Sequence, residues 1–269
     1  MTMMLAPDLL DRRALALLAL IDPNGQPFEG GVEIANDDLR TVNKTGGRIA
    51  LLGAPGFAAY TAAFAQVPGA PATGSKSIAI DLNPASRAVM PRRITLKLPR
   101  SADPAQADTA ESIFRPVIVV FSASPRTAMQ PGACILRASV SRASDGAMVE
   151  NAVVRARSAD GKHTAWALTD PAGEAALVFP ALPVSFAGAG GTPSPAIACA
   201  VVVHADPASA RFANPETLAG ARAAAVARRT GHVDPDALMA AHPADFAGAQ
   251  TVSIAASSQP AVTLNWTAP

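Results

Sequence analysis

Apolar and polar residues alternate along most of this chain with the two-residue period of a β-strand. In residues 77–82, Ile78, Ile80 and Leu82 fall on one side. In residues 93–98, Ile94, Leu96 and Leu98 do the same. Strand-like runs are also expected at 15–21, 31–35, 48–52, 60–67, 114–120, 133–141, 152–158, 163–169, 174–179, 197–204, 250–255 and 261–266. Most are bounded by turn chemistry: Asp22-Pro23-Asn24-Gly25, Gly46-Gly47, Pro68-Gly69, Asp160-Gly161 and Asp170-Pro171-Ala172-Gly173. Short strands at this spacing predict an all-β protein of sandwich type.

Two stretches break the pattern. Residues 99–112 carry no large apolar side chain and read as a linker holding at most one short helical turn. Residues 205–249 differ in kind. There Asn214 suits an N-cap, Pro215 the first helical position and Gly231 the end of a helix over 215–229. A second short helix is expected over 235–241. The predicted organisation is an N-terminal tail over 1–12, a first sandwich over 13–99, the linker over 100–112 and a second sandwich over 113–269. The second carries a small helical insertion at about 205–249. The closing pattern of one half, around 77–99, parallels that of the other, around 253–266, so two related antiparallel sandwiches in tandem are expected.

Residues 137–183 carry a recognisable order of turns. Asp145-Gly146 comes first, then Asn151-Ala152-Val153-Val154, then Asp160-Gly161, then Thr169-Asp170-Pro171-Ala172-Gly173 before an apolar strand. This stretch resembles the carboxypeptidase regulatory-like and collagen-adhesin B-type domains, which are prealbumin-like, Ig-like β-sandwiches. Residues 15–34 are similar over a shorter span. The resemblance implies a sandwich fold and an adhesive, spacer or accessory role. Some collagen-adhesin relatives form an internal Lys–Asn cross-link assisted by an acidic residue. This chain departs from that pattern: it has four lysines, Lys44, Lys76, Lys97 and Lys162, and none opens a strand with such partners evident.

Composition narrows the functional classes. The 269 residues are 49% hydrophobic, too apolar for a disordered chain, yet 61 are Ala and only 4% are aromatic. The cores should therefore be low in volume. The 22 Lys+Arg against 21 Asp+Glu give a net charge of +1, which supplies no field for nucleic acid. The doublets Arg12-Arg13, Arg92-Arg93 and Arg228-Arg229 are too short for a basic stripe and read as solvated surface charge. The excess of Arg over Lys, with the Ala content, suggests a GC-rich bacterial genome. The apolar run at 14–21 is too short to span a membrane. Asp8 and Asp11 precede it and no small-residue cleavage site follows, so synthesis in the cytoplasm without export is expected.

Candidate chemistry is sparse. The sequence holds no GxSxG, HExxH or phosphate-binding loop. His204-Ala205-Asp206 could pair a base with an orienting carboxylate. His232-Val233-Asp234-Pro235-Asp236 and His242-Pro243-Ala244-Asp245 could hold a metal if the insertion folded back on itself. Turn and capping roles explain these groups more simply, as they do Asn36-Asp37-Asp38. Cys134 and Cys199 lie in apolar strand-like runs and read as buried thiols, with pairing left open. Trp166 and Trp266 read as core residues rather than sugar platforms. No catalytic, cofactor-binding or metal-ligating residue is assigned and no cofactor is expected. The expected function is a non-catalytic structural or assembly protein with protein partners, set in a phage-tail-like or contractile injection particle. The alternative is a carbohydrate- or surface-binding module, which needs exposed tryptophans.

Overall fold

The structure is a computed structural model, and it describes residues 13–62, 69–182, 196–213, 231–243 and 246–268. The fold is all-β with antiparallel sheets and small helices. The expected helix over 215–229, the loop at 186–195 and the N-terminal tail lie outside the described residues.

The chain forms two compact units, and neither is continuous in sequence. One comprises 1–20, 36–78 and 96–119; the other comprises 21–35, 79–95 and 120–269. The sequence pattern predicts contiguous halves at 13–99 and 113–269 instead. Two long strands lie behind the difference. Strands β5 (Lys76–Pro84) and β6 (Arg92–Leu98) each contribute residues to both units.

In the first unit a sheet runs in the order β3-β4-β1-β7. Its strands are β1 (Ala16–Ile21), β3 (Arg40–Lys44), β4 (Arg48–Gly53) and β7 (Val117–Val120). Alternation decides its faces: Ala16 pairs with Leu51 and Leu18 with Ile49, and all four are buried. The run at 14–21 is thus a strand. Among the described residues, no helix is long and apolar enough to cross a membrane.

Residues 58–62 form helix α1 (Ala58–Ala62), not the start of the strand expected over 60–67. Alanine dominates this stretch and favours helix. Phe57, Tyr60 and Thr61 are spaced three and four apart, so all three are buried on one side. The expected linker belongs to this unit and is built rather than slack. Asp103 caps the short 3₁₀ turn Pro104–Gln106, and Ser101 and Ser112 are buried. The Arg100 guanidinium donates to the carbonyls of Ala110, Ser112 and Arg115.

The second unit contains the larger core. One sheet has the order β12-β8-β9-β14, with β16 on the other side of β8. These are β8 (Cys134–Arg142), β9 (Met148–Glu150), β12 (Glu174–Phe179), β14 (Arg211–Ala213) and β16 (Ala261–Trp266). The facing sheet has the order β11-β10-β13-β15, from β10 (Val153–Ser158), β11 (Thr164–Leu168), β13 (Ile197–His204) and β15 (Gln250–Ile254). Inward positions follow the two-residue period: Cys134, Leu136, Ala138 and Val140 from β8, Val154 and Ala156 from β10, and Val262, Leu264 and Trp266 from β16. One pairing departs from the expected antiparallel scheme. Strand β16 runs parallel to β8, with Ala261 opposite Arg137 and Trp266 opposite Arg142.

The same unit holds β2 (Val32–Ile34), which pairs antiparallel with β5 so that Val32 faces Pro84. Helix α2 (Pro235–Ala241) packs Leu238 and Met239 with Val153 and Leu168, on the face of the β10–β11 pair that points away from the main core.

Candidate functional site

Among the described residues, a cavity of about 600 Å³ with hydrogen-bonding walls lies in the second unit. The end of β13, the C-terminal end of α2 and the end of β16 line it, with His204, Asp206, His242, Gln250, Asn265 and Trp266 among the lining residues. Each element reaches it for a local reason. Strand β13 stops at Asp206-Pro207, where Asp206 Oδ1 accepts the Ala208 N–H at 2.9 Å and the Asp206 carbonyl accepts the N–H groups of Ser209 and Ala210. Helix α2 starts at its N-cap Asp234, whose carboxylate accepts the N–H groups of Asp236 and Ala237, and ends at His242. The two ends bring the imidazoles of His204 and His242 into a stack, with centroids 4.6 Å apart and planes 11° from parallel.

Stacking limits the chemistry of this pair. Imidazole lone pairs lie in the ring plane, so parallel rings do not converge on a common ion. Asp206 uses Oδ1 on its own turn. Among the described residues, no group of three or more His, Cys, Asp or Glu side chains could hold a metal ion. The His232 and His242 segments are not brought to one site. His232 Nε2 lies 2.9 Å from Asn83 Oδ1, whereas His242 stacks on His204. Burial lowers the His232 pKa from 6.5; Asp81 opposes this, while Arg211 and Arg93 reinforce it. Ala244 and Asp245 lie outside the described residues. Asn36 accepts the Asp38 N–H in a local turn.

Arginine 92 corrects the surface-charge reading of its doublet. Its side chain is 0% exposed. Its guanidinium donates to Asp236 at 2.5 Å, to the Val120 carbonyl at 2.6 Å and to the Arg93 carbonyl at 3.4 Å. Its carbon centre lies 5.7 Å from the Trp166 ring centroid. Arg93 makes a bidentate pair with buried Asp81 at 2.8 and 2.9 Å, and Asp81 also accepts the Gly231 N–H. The doublet therefore ties residues 231–236 to β5 and β6. Sequence reasoning missed this role because a run of two like charges looks the same in water or buried. The alternation around 93–98 was the available signal, since it places residue 92 on the inward side with Ile94.

The aromatic side chains are similarly engaged. Trp266 is 5% exposed and stacks on Phe212 at 5.8 Å, and Arg142 lies over Phe212 at 4.1 Å. Trp166 is half-buried and packs against the cluster of Val153, Leu168, Val233 and Leu238. All four lysines are exposed.

No family model matches the chain, and no curated protein matches it. Among solved structures, it is similar to the TIE protein of Bacillus anthracis, with 10% identity, TM-score 0.27 and 96% of this chain covered. It is also similar to the major pilin subunit of Bacillus cereus (10% identity, TM-score 0.24, 96% covered) and to the minor pilin of Streptococcus agalactiae (9%, 0.25, 94%). The chain spans 34% of the first of these, 59% of the second and 97% of the third. At these TM-scores the superpositions carry no argument about activity or partners, which rests on the chain's own residues.

Proposed function

We propose that this protein is a non-catalytic structural or assembly protein that works through protein–protein contacts. The observation that carries the reading lies in the first unit. Phe114 is 57% exposed and Ile118 is 58% exposed, and Val42 on β3 is also exposed. Ile118 sits on β7, a strand at the end of its sheet order. Large apolar side chains left in water on a short strand favour a partner's surface or an added strand. The polar groups support the same reading, since Arg92, Arg93, Asp81, Asp234 and His232 are committed to holding the fold. A multi-subunit particle, of the phage-tail-like or contractile injection kind, is the setting this reading prefers.

The test is a size-exclusion and light-scattering comparison of the wild type with Ile118→Asp and Phe114→Ser, paired with capture from native lysate. Retained partners in the wild type and loss in both variants support the reading. A solitary wild-type monomer that captures nothing counts against it.

A second reading, a carbohydrate- or surface-binding module, is favoured by the 600 Å³ cavity and its Asp206, Gln250, Asn265 and His242 side chains. Its tryptophans are not free platforms, so binding would depend on hydrogen bonds. Calorimetry against a panel of soluble oligosaccharides, with His242→Ala as control, tests it; absence of heat across the panel sinks it.

A further inference from the structure

The sandwich core of the second unit contains two thiols that the proposed function does not use. Cys134 opens β8 and Cys199 lies in β13, so they belong to facing sheets. Both are free thiols in this structure, both are 0% exposed and both belong to one core cluster. We propose that Cys134 and Cys199 are a cross-sheet disulfide pair that closes when the protein folds in an oxidising solution.

Three observations place the two sulfurs at the same end of the sandwich. The connection from β15 to β16 crosses from one sheet to the other beside Cys134. There the Ser257 N–H donates to the Ala133 carbonyl and the Ile135 N–H donates to the Ser258 carbonyl. The crossing starts at Ile254, which pairs with Ile197, and Cys199 pairs with Val252 in the same ladder. Burial raises the Cys199 pKa, and the charges of a Cys134 thiolate and of Asp160 act in the same direction, which puts both groups within electrostatic reach of the thiol.

The core composition favours a close approach of the sheets. Sheets usually pack about 10 Å apart, whereas a disulfide needs Cα atoms within about 7 Å. Here Ala138, Ala152, Ala156, Ala167 and Ala175 fill much of the space between them. Small side chains let the two backbones approach. Oxidation also strands no polar group. Ser258 Oγ lies 3.4 Å from Cys134 Sγ, but it already donates to the Ala255 carbonyl at 2.6 Å and accepts the Ala255 N–H at 3.1 Å.

The step balances with a small-molecule disulfide as oxidant. One thiolate attacks the oxidant, forming a mixed disulfide and releasing one thiol. The second thiolate then attacks the protein sulfur, closing the intramolecular bond and releasing the second thiol, with both cysteine protons going to solvent. Full burial slows both attacks in the folded state, so the bond forms during folding.

The experiment refolds the full chain from denaturant in a glutathione redox buffer and, in parallel, in dithiothreitol. Thiols are counted after denaturation, and peptides are mapped without reduction. Expected are no free thiols, a peptide joining Cys134 to Cys199, and a melting temperature about 5–10 °C above that of the reduced form, since a long loop is closed. The Cys134→Ala, Cys199→Ala double variant should melt at one temperature in both buffers. If refolding aggregates, the same counts are made on soluble protein synthesised in an oxidising cytosol. Two free thiols, only glutathione adducts, or only intermolecular links by either route would overturn the proposal.

Discussion

At the residue scale, burial turns ordinary polar side chains into structural ones. Arg92 reaches acceptors on three different segments while sealed from water. Arg92→Ala removes that anchor, leaves the Val120 carbonyl short of a partner and opens a cavity beside Trp166. Urea denaturation should show a loss of about 3–4 kcal/mol. Arg93→Ala, whose side chain is partly exposed but whose partner Asp81 is buried, should cost about 2–3 kcal/mol. His232 gives a pH signature. Its folded-state pKa lies below the ordinary 6.5, so the unfolded chain takes up the proton more readily. The stabilising contribution is complete above about pH 6.5 and fades as the pH falls through that value. The denaturation midpoint should therefore drop between pH 7.5 and pH 5, and His232→Gln should flatten part of that slope. Asp145 responds lower on the scale. Its hydrogen bond from Arg142, with that of the Ala147 N–H, holds its carboxyl at about 2. The pair is complete above the usual carboxylate range and is lost as pH falls toward 2. Carboxyl carbon chemical shifts of Asp145 should titrate near 2, and Arg142→Ala should move that midpoint up.

At the element scale, turns and strand faces were legible and edges were not. The Thr169 to Gly173 turn was readable because its chemistry is local. Asp170 accepts the N–H groups of Ala172 and Glu174, and Gly173 has φ +71°. A Cβ at Gly173 would lie 2.5 Å from the Val140 carbonyl oxygen, so Gly173→Ala should cost about 2–3 kcal/mol. Gly25, at φ +81° with open space around it, should lose only about 1 kcal/mol on the same change. Thermal melts of the two variants separate strain from collision. Strand β3 was not readable, since Arg40-Thr41-Val42-Asn43-Lys44 is largely exposed and shows no apolar face. Strand β14 hid for the same reason within a stretch that otherwise looked helical. The strand expected at 60–67 failed at its start because alternation among alanines does not distinguish the two periods, and the helical spacing of Phe57, Tyr60 and Thr61 decided it.

At the scale of the whole molecule, the strand pattern supplied the class of fold but not the path of the chain. No local signal says that residues 21–35 and 79–95 pack with 120–269, because that depends on which strands find each other. The cavity was illegible for a related reason. His204 and His242 are separated by a long stretch of chain and meet only when α2 lies against the sheet that β13 belongs to. By contrast, Phe114 and Ile118 needed the structure only to show that nothing described covers them. Replacing Ile118 with Asp should leave the melting temperature within a few degrees of wild type, since the side chain is already in water, while self-association or partner capture falls.

The parallel pairing of β8 with β16 has a consequence for synthesis. On the ribosome, β8 emerges early and finds its antiparallel partners in order, but its other edge stays bare until residues 261–266 have left the exit tunnel. The larger unit therefore cannot complete its core until that segment is free; Val262, Leu264 and Trp266 are the last of its core residues to arrive. Nascent chains arrested before residue 261 should remain open to protease, and chains long enough to free residue 266 from the tunnel should gain protection in a single step. A chaperone that shields exposed strand edges would act on this protein in that interval, and not before.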